Sequence, residues 1–492
     1  MTAEPVNSDS DKRSLRVAVV GGGITGLSAV HTLTRATTAG GCPVEVTLFE
    51  ASRRLGGIIR TEEADGFLME LGPDSFITNK PGGVRLCEEL GYAQELITTD
   101  WRYRRSLVLS RGCPVSVPEG FMLMVPENPW ALMCSPVLSV AGRLRLLGEY
   151  FLPGRAPAGD ESLASFVRRR FGREALDRLV QPLVGGIYTS DPEKLSLQAT
   201  LPRFPEMEAR SGSVIRDALR QKKRAGPADP KGSGSGARYG LFAAPRRGLG
   251  DLVATLERRL RATNGVRFQM GSSIQSITSQ LSEQGRAEWC VQTADQKQVF
   301  DAVILTLPTW LAARVLQGPQ FADLRQHLSA IEYASSAIVV SGHQLSDFQD
   351  RMDAFGMVVP ACERRQILAV SFSSRKFEGR APAGQIVLRT FLGGAMQPEL
   401  MERSDEEMLA IVNTELRQIF GMSQEPMFAE VMRYDRAMPQ YHVGHLDRVA
   451  AIERGVGQHA GLQLAGSGYR GVGIPDSIES GREAAERVLG LR

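Results

Sequence analysis

Near the start of the chain Gly21, Gly23 and Gly26 stand in the spacing Gly-x-Gly-x-x-Gly, with Gly22, Ile24 and Thr25 among them, and an acid, Glu50, closes the next apolar run. Residues of these types at this spacing hold a pyrophosphate and a ribose. Gly21 permits a tight turn, Gly23 lets the backbone approach the pyrophosphate, and Gly26 lets the following helix pack on its sheet. The pyrophosphate then sits on the helix N-terminus. Glu50 is placed to accept hydrogen bonds from ribose hydroxyls, and its charge argues against a 2′-phosphate. A glycine-rich turn with no ligand is the alternative; strand, helix and acid together count against it.

The elements that must position these residues are legible on either side. Val17 to Val20 reads as a buried parallel strand, and Val44 to Phe49 as the second strand, carrying Glu50 at its carboxyl end. After the acid, Glu50-Ala51-Ser-Arg-Arg54-Leu-Gly56-Gly57-Ile58 places a basic residue and a glycine pair beside the pyrophosphate crevice, where a second loop can close over a ribityl chain. This resembles the double-glycine motif of FAD enzymes of the amine-oxidase type and separates flavin from nicotinamide.

At 492 residues, 42% apolar and 23% charged, the chain has the length of two or three domains with buried cores. A net charge of +3 is too mild to imply a nucleic-acid partner. The six cysteines contain no Cys-x-x-Cys, so neither a disulfide framework nor a zinc knuckle is suggested, and a reducing cytoplasm fits. His442 and His445 lack the further ligands a metal needs. Residues 1 to 14 are polar without an apolar core and read as a tail rather than a signal peptide. Phe121 to Val140 is cut by Pro126, Pro129 and Pro136, which excludes a continuous spanning helix. Phe121 to Val125 and Trp130 to Met133 can still form a patch for peripheral membrane contact, with Arg143 and Arg145 near the headgroups; a pocket wall or plain core is the alternative.

The expected architecture is α/β: a Rossmann-like FAD-binding domain with a mixed-sheet substrate domain and a helical insert. Its parts are a tail (1–14), a first cofactor segment (15–100), a substrate-pocket and helical segment (101–240) with a linker at 222–238, a second cofactor segment (241–308), the substrate domain (309–430) and a third cofactor segment (431–492). Ser162 to Leu179 has helical spacing, and Ala337 to Ser341, Ile367 to Val370 and Ile386 to Phe391 suggest an antiparallel sheet. Near the end, Gly466-Ser-Gly468-Tyr-Arg-Gly471 repeats the glycine spacing, but the residues after Asp476 are too few for another strand-helix-strand unit. That helix N-terminus is expected to point at the flavin, its dipole favouring an anionic reduced ring.

Further motifs carry a more specific resemblance: Glu70-Leu-Gly72-Pro73-Asp74-Ser75-Phe76, Arg111-Gly-x-x-x-x-Val117-Pro118, Asp160-Glu-Ser-Leu-Ala-Ser-Phe166, Pro182-Leu-Val-Gly-Gly-Ile-Tyr188, Phe391-Leu-Gly-Gly394, Met438-Pro-Gln-Tyr441-x-x-Gly444-His445 and Gly471-Val-Gly-Ile-Pro-Asp476. From about Leu15 onward the chain resembles the FAD-dependent porphyrinogen oxidases of haem biosynthesis. The resemblance implies that Gly21 to Gly26, Glu50, Ala51, Arg54, Ile58 and Gly72, Pro73, Asp74 and Ser75 lie on FAD. It implies that Ile274 gives backbone to the adenine, that Tyr434 lies near the cofactor, and that Val472, Gly473 and Ile474 contact the isoalloxazine. The family usually carries tryptophan where Tyr434 stands.

The reaction so implied is a six-electron oxidation of a porphyrinogen in three hydride transfers to flavin N5, with dioxygen reoxidising the flavin. Such chemistry belongs mostly to the cofactor, and no catalytic acid or base is assigned. Relatives that prefer protoporphyrinogen carry an arginine where Ser106 stands here, and Val117 to Pro126 looks more like the coproporphyrinogen oxidases. Arg102, Arg104 and Arg105 are then candidates to meet the extra propionates, a solvated surface turn being the alternative. The expected function is oxidation of coproporphyrinogen III, with protoporphyrinogen IX as the alternative substrate. An amine oxidase, a carotenoid desaturase and a non-catalytic flavin or porphyrin carrier are the more distant readings. A cytoplasmic protein touching the inner face of the membrane, and a homodimer, complete the expectations.

Overall fold

The structure is a computed structural model and describes residues 14–38, 43–126, 128–155, 159–225, 241–283, 285–350 and 352–490. Residues 1–13 of the expected tail and most of the expected linker lie outside these. The start of that linker is a correction: Lys222 to Ala225 finish the helix Val214–Ala225.

β1 (Leu15–Val20) is followed by α1 (Ile24–Thr38) and β2 (Val44–Glu50). β1 lies at the centre of a five-stranded parallel sheet in the order Val266–Met270, β2, β1, Ala302–Leu305, Leu462–Leu464. Val17 to Val19 and Val46 to Leu48 are fully or almost fully buried, as a parallel strand covered on both faces requires. The strand Leu462–Leu464 joins this same sheet at its edge, so the second glycine repeat extends the first nucleotide fold. The helix after it, Ile474–Val488, packs against α1: Gly481 approaches so closely that an added Cβ would stand 2.1 Å from the Thr25 carbonyl.

A second sheet has seven strands in the order Phe428–Pro439, Tyr333–Gln344, Gln385–Gly393, Ala369–Phe372, Gly356–Val358, Ser106–Ser110, Cys113–Ser116. It is antiparallel apart from the pair Gly356–Val358 with Ser106–Ser110. The hairpin Ser106–Ser116 thus joins the substrate sheet, although its position in the chain groups it with the helical insert. One face of the sheet buries Leu107, Leu109, Val339, Met357, Val370 and Leu388 under the helix Asp405–Phe420.

The helical segment packs around its own core, including Leu132, Phe166, Phe171, Leu179 and Phe204. Ser162 caps Leu163–Arg170, and Gly172, at φ 95°, ends that helix; Gln181–Tyr188 carries the chain on. The single helix expected over 162–179 is therefore broken at Gly172. Met124, Val125 and Leu132 are buried core, and no helix among the described residues is long and apolar enough to cross a membrane. Arg143 donates to the carbonyls of Met133 and Leu138, and the exposed Arg145 to those of Arg169 and Arg170.

Candidate cofactor and substrate site

The two glycine loops build one cradle. Gly21 turns at φ 111°, held by Thr306, whose hydroxyl donates to the carbonyls of Val20 and Gly21 at 2.9 Å. A Cβ at Gly26 would stand 1.9 Å from the Gly21 carbonyl, whereas at Gly23 it would meet nothing within 4 Å. Only Gly23 opens onto free space at the N-terminus of α1, which is where a pyrophosphate needs room. The second loop closes on the first: the Gly56 N–H donates to the Gly22 carbonyl at 2.8 Å. Arg54 braces that loop by donating to the carbonyls of Gly57 and Ile59. Ile58 is 55% exposed at its tip.

Glu50 is fixed by its neighbours. One carboxylate oxygen accepts the Gly22 N–H at 2.7 Å and the other the Ser52 N–H at 2.8 Å, which leaves each oxygen further acceptor capacity for a ribose hydroxyl. Ala51 is exposed beside it. The turn leading to Ile274 is tied to the same place, since Gly271 and Ser272 donate backbone N–H groups to the carbonyls of Ser52 and Glu50. Ile274 itself is buried, just before the strand Ser276–Leu281.

The segment Gly72-Pro73-Asp74-Ser75 leaves the strand Phe67–Glu70 and meets the substrate sheet. Tyr434 donates its hydroxyl to the Leu71 carbonyl at 2.6 Å, and Arg389 donates to that of Gly72. Asp74 accepts from Lys376 at 3.0 and 3.1 Å, from Ser75 at 2.7 Å, and pairs with Arg389 at 3.2 Å. Burial alone would raise the Asp74 carboxyl; Lys376 and Arg389 overcome it and hold it well below the usual carboxylate range.

The loop before Ile474–Val488 is pinned from below. Tyr441, 1% exposed, donates to the Ser467 carbonyl at 2.5 Å and accepts the Gly471 N–H at 2.8 Å. His445 stacks on Tyr441 at 3.9 Å, and its Nε2 lies 2.8 Å from the Tyr469 carbonyl; burial pushes its pKa down to about 4. This histidine is a packing group. Among the described residues no cluster of three or more His, Cys, Asp or Glu is placed to hold a metal. Val472, Gly473 and Ile474 follow that pinned turn. In the first turn of this helix Asp476 accepts the Gly473 N–H and pairs with Lys80.

The second face of the seven-stranded sheet differs from the first. Phe391, Ala369 and Val358 stand in register across three strands, with Arg389, Ser371, Gly356 and Ser106 in the next row, and these side chains are half-buried apart from buried Arg389 and exposed Ser106. From Phe391 to Val358 is two strand steps, roughly 10 Å. The helix Gln181–Tyr188 approaches Val358 through Gly186. Tyr434 lies in register with Ser336, on the strand next to that of Phe391. A flat, mainly apolar floor thus runs from the Gly72–Ser75 segment towards the helical domain.

Arg105 donates its Nε to the Asp353 carbonyl, and Arg102 is held bidentately by Asp100; both sit at the far end of the sheet from Tyr434. Arg102 is therefore already paired, while Arg104 is exposed. A cavity of about 520 Å³ lies between His445–Gly457 and Ile474–Val488 beside the edge strand, bordered by Glu453, Arg470, Glu483 and Arg487. It is not the cradle. The sequence assigned no site role to Thr306, Arg389, Lys376, Tyr441 or the sheet floor; an arginine inside the apolar run Ile386 to Phe391, and the motifs that carry Tyr441 and Phe391, were the available signals.

Comparison with known proteins agrees with this geometry. The model of the flavin containing amine oxidoreductases matches residues 24–489. The chain belongs to this family. The coproporphyrinogen III oxidase of Bacillus subtilis (strain 168) is 31% identical over 477 residues, covering 96% of this chain and 97% of the relative. That of Propionibacterium freudenreichii subsp. freudenreichii is 33% identical over 503 residues, covering 97% and 92%. The crystal structure of a candidate protoporphyrinogen oxidase from Exiguobacterium sp. 255-15 superposes with a TM-score of 0.83 at 26% identity, covering 97% of this chain and 99% of that one. The protein is a flavin-dependent oxidoreductase, and its cofactor is FAD. The open space at Gly23, the free acceptor capacity of Glu50 and the braced double-glycine loop fit that group.

Proposed function

We propose that this flavoenzyme oxidises coproporphyrinogen III to coproporphyrin III, a six-electron aromatisation, with dioxygen as final acceptor. One observation carries the substrate: full-length relatives at 30–33% identity bear the coproporphyrinogen name, against 27–29% for relatives named protoporphyrinogen oxidase. Protoporphyrinogen IX is the second reading.

The FAD would lie along Gly21 to Gly26, Glu50, Ala51, Arg54, Ile58, Gly72 to Ser75, Ile274, Tyr434 and Val472 to Ile474, with the macrocycle on the floor of Phe391, Ala369 and Val358. Bound FAD supplies the two-electron acceptor for each of three oxidations. The chain supplies placement. Arg389 and Tyr434 fix the Gly72 segment against the sheet, Tyr441 fixes the Gly471 turn, and the apolar floor excludes water from the reacting carbon. Arg104 and Arg105, at the open end of the floor near Ser106, are the cations we assign to the propionates. Anaerobic mixing of FAD-loaded protein with coproporphyrinogen III tests the reading: flavin bleaching is expected without air, with porphyrin fluorescence appearing once dioxygen is admitted and the remaining oxidations can proceed, and an unbleached flavin would reject it.

We also propose peripheral bilayer contact at the tip carrying Trp130, Val140, Leu144 and Phe151, all at least 59% exposed. Co-flotation with anionic vesicles that is lost in Trp130→Ser with Phe151→Ser is expected; a protein that stays with the soluble fraction contradicts it.

A further inference from the structure

We propose that Arg389 and Lys376 together are the counter-charge for the reduced flavin. The inference rests on the reading that FAD lies on Gly72 to Ser75.

The argument begins with a charge count. Lys376 and Arg389 both converge on one carboxylate, Asp74, and their side chains are only 14% and 4% exposed. The neighbouring acid, Glu70, is engaged by the Thr61 hydroxyl and the Leu249 N–H, and the neighbouring cation, Arg380, by the carbonyls of Pro245 and Arg246. Those two offset each other at most, so one positive charge remains beside the segment. The Nε of Arg389 is buried with no partner. Two buried cations sharing one carboxylate leave a buried excess of positive charge, which is costly unless an anion meets it for part of the working cycle.

Reduction supplies that anion. A hydride taken from the substrate brings two electrons and one proton to a neutral ring, which then carries one negative charge. The helix N-terminus at Gly473 brings no net side-chain charge, because Asp476 is paired there with Lys80. The cluster of Lys376, Arg389 and Asp74 on the other segment carries one more positive charge than negative.

The test compares Lys376→Met, Arg389→Gln, Arg389→Lys and Asp74→Asn in FAD-loaded protein. It reads the two-electron midpoint potential and the affinity for sulfite, which adds to the flavin and leaves a negative charge on it. Lys376→Met and Arg389→Gln are expected to weaken sulfite binding at least ten-fold and lower the potential by about 30 mV or more, a tenfold change being 29.6 mV for a two-electron couple. Arg389→Lys should stay near the parent, and Asp74→Asn should move both readouts the other way. Loss of folding would not give opposite signs for Lys376→Met and Asp74→Asn. Parent-like potentials and sulfite affinities in variants that retain FAD would overturn the proposal, even if porphyrinogen turnover fell. A parent protein that takes up no FAD would instead overturn the cofactor reading beneath it.

Discussion

Gly23 and Gly26 differ in what a methyl group would meet, and the difference separates ligand binding from folding. At Gly23 the added Cβ enters open space, so Gly23→Ala should leave the melting temperature of the FAD-free protein within about 2 °C of the FAD-free parent while abolishing or strongly weakening FAD uptake. At Gly26 the same change drives a methyl to 1.9 Å from a carbonyl oxygen. Gly26→Ala should therefore destabilise the protein by roughly 3 kcal/mol or more, since the obstacle is backbone rather than a flexible side chain. Calorimetry and flavin absorption on both variants check the pair. Glu50 gives a graded counterpart: Glu50→Ala frees two backbone donors, and hydrogen bonds to charged groups contribute about 1.5–3 kcal/mol each. An FAD affinity reduced by one to two orders of magnitude is the expected outcome in a fluorescence titration.

Among elements, the joint between the strand Phe67–Glu70 and the helix Leu249–Arg261 is titratable. Burial is the main cause that raises Glu70 to about 7, and it exceeds the stabilisation of the carboxylate by Thr61 and the Leu249 N–H. A group whose folded pKa is raised gives stability that is present below its unfolded pKa near 4.5 and is lost as pH climbs through 7. The span corresponds to an upper bound of about 3 kcal/mol. Glu70→Gln keeps the acceptor and removes the titration, so its melting temperature relative to the parent should rise between pH 4.5 and 7 and then level off. A constant offset across that range would contradict the account.

The same elements show what a sequence reveals. β1, α1 and β2 were legible because a parallel strand, a glycine turn and an acid leave local marks, and the strand Val266–Met270 begins and ends where the alternation of Val266, Phe268 and Met270 with Arg267 and Gln269 does. Thr306 and Arg389 were not, since each acts on a loop far away in the chain: 285 residues separate Thr306 from Gly21, and 317 separate Arg389 from Gly72. The edge position of Ser106–Ser116 was equally hidden, because strand pairing across sequence depends on packing that no local pattern encodes. Asp476 was visible in the sequence, yet its occupation of its own helix N-terminus became clear only from its bonds to Gly473 and Lys80.

For the whole molecule, the Gly72 to Ser75 segment lies between the double-glycine loop at Ile58 and the seven-stranded sheet, so a cofactor on the glycine cradle would be brought to a half-buried floor on that sheet. On the proposed reading this arrangement sets the porphyrinogen macrocycle against the flavin, and the ends of that floor decide among substrates. The most direct measurement is kcat/KM for coproporphyrinogen III and for protoporphyrinogen IX, each followed by product fluorescence with the same FAD-loaded protein. The account predicts at least a ten-fold preference for coproporphyrinogen III, reduced when Arg104 and Arg105 are both changed to Gln. A preference for protoporphyrinogen IX would contradict it.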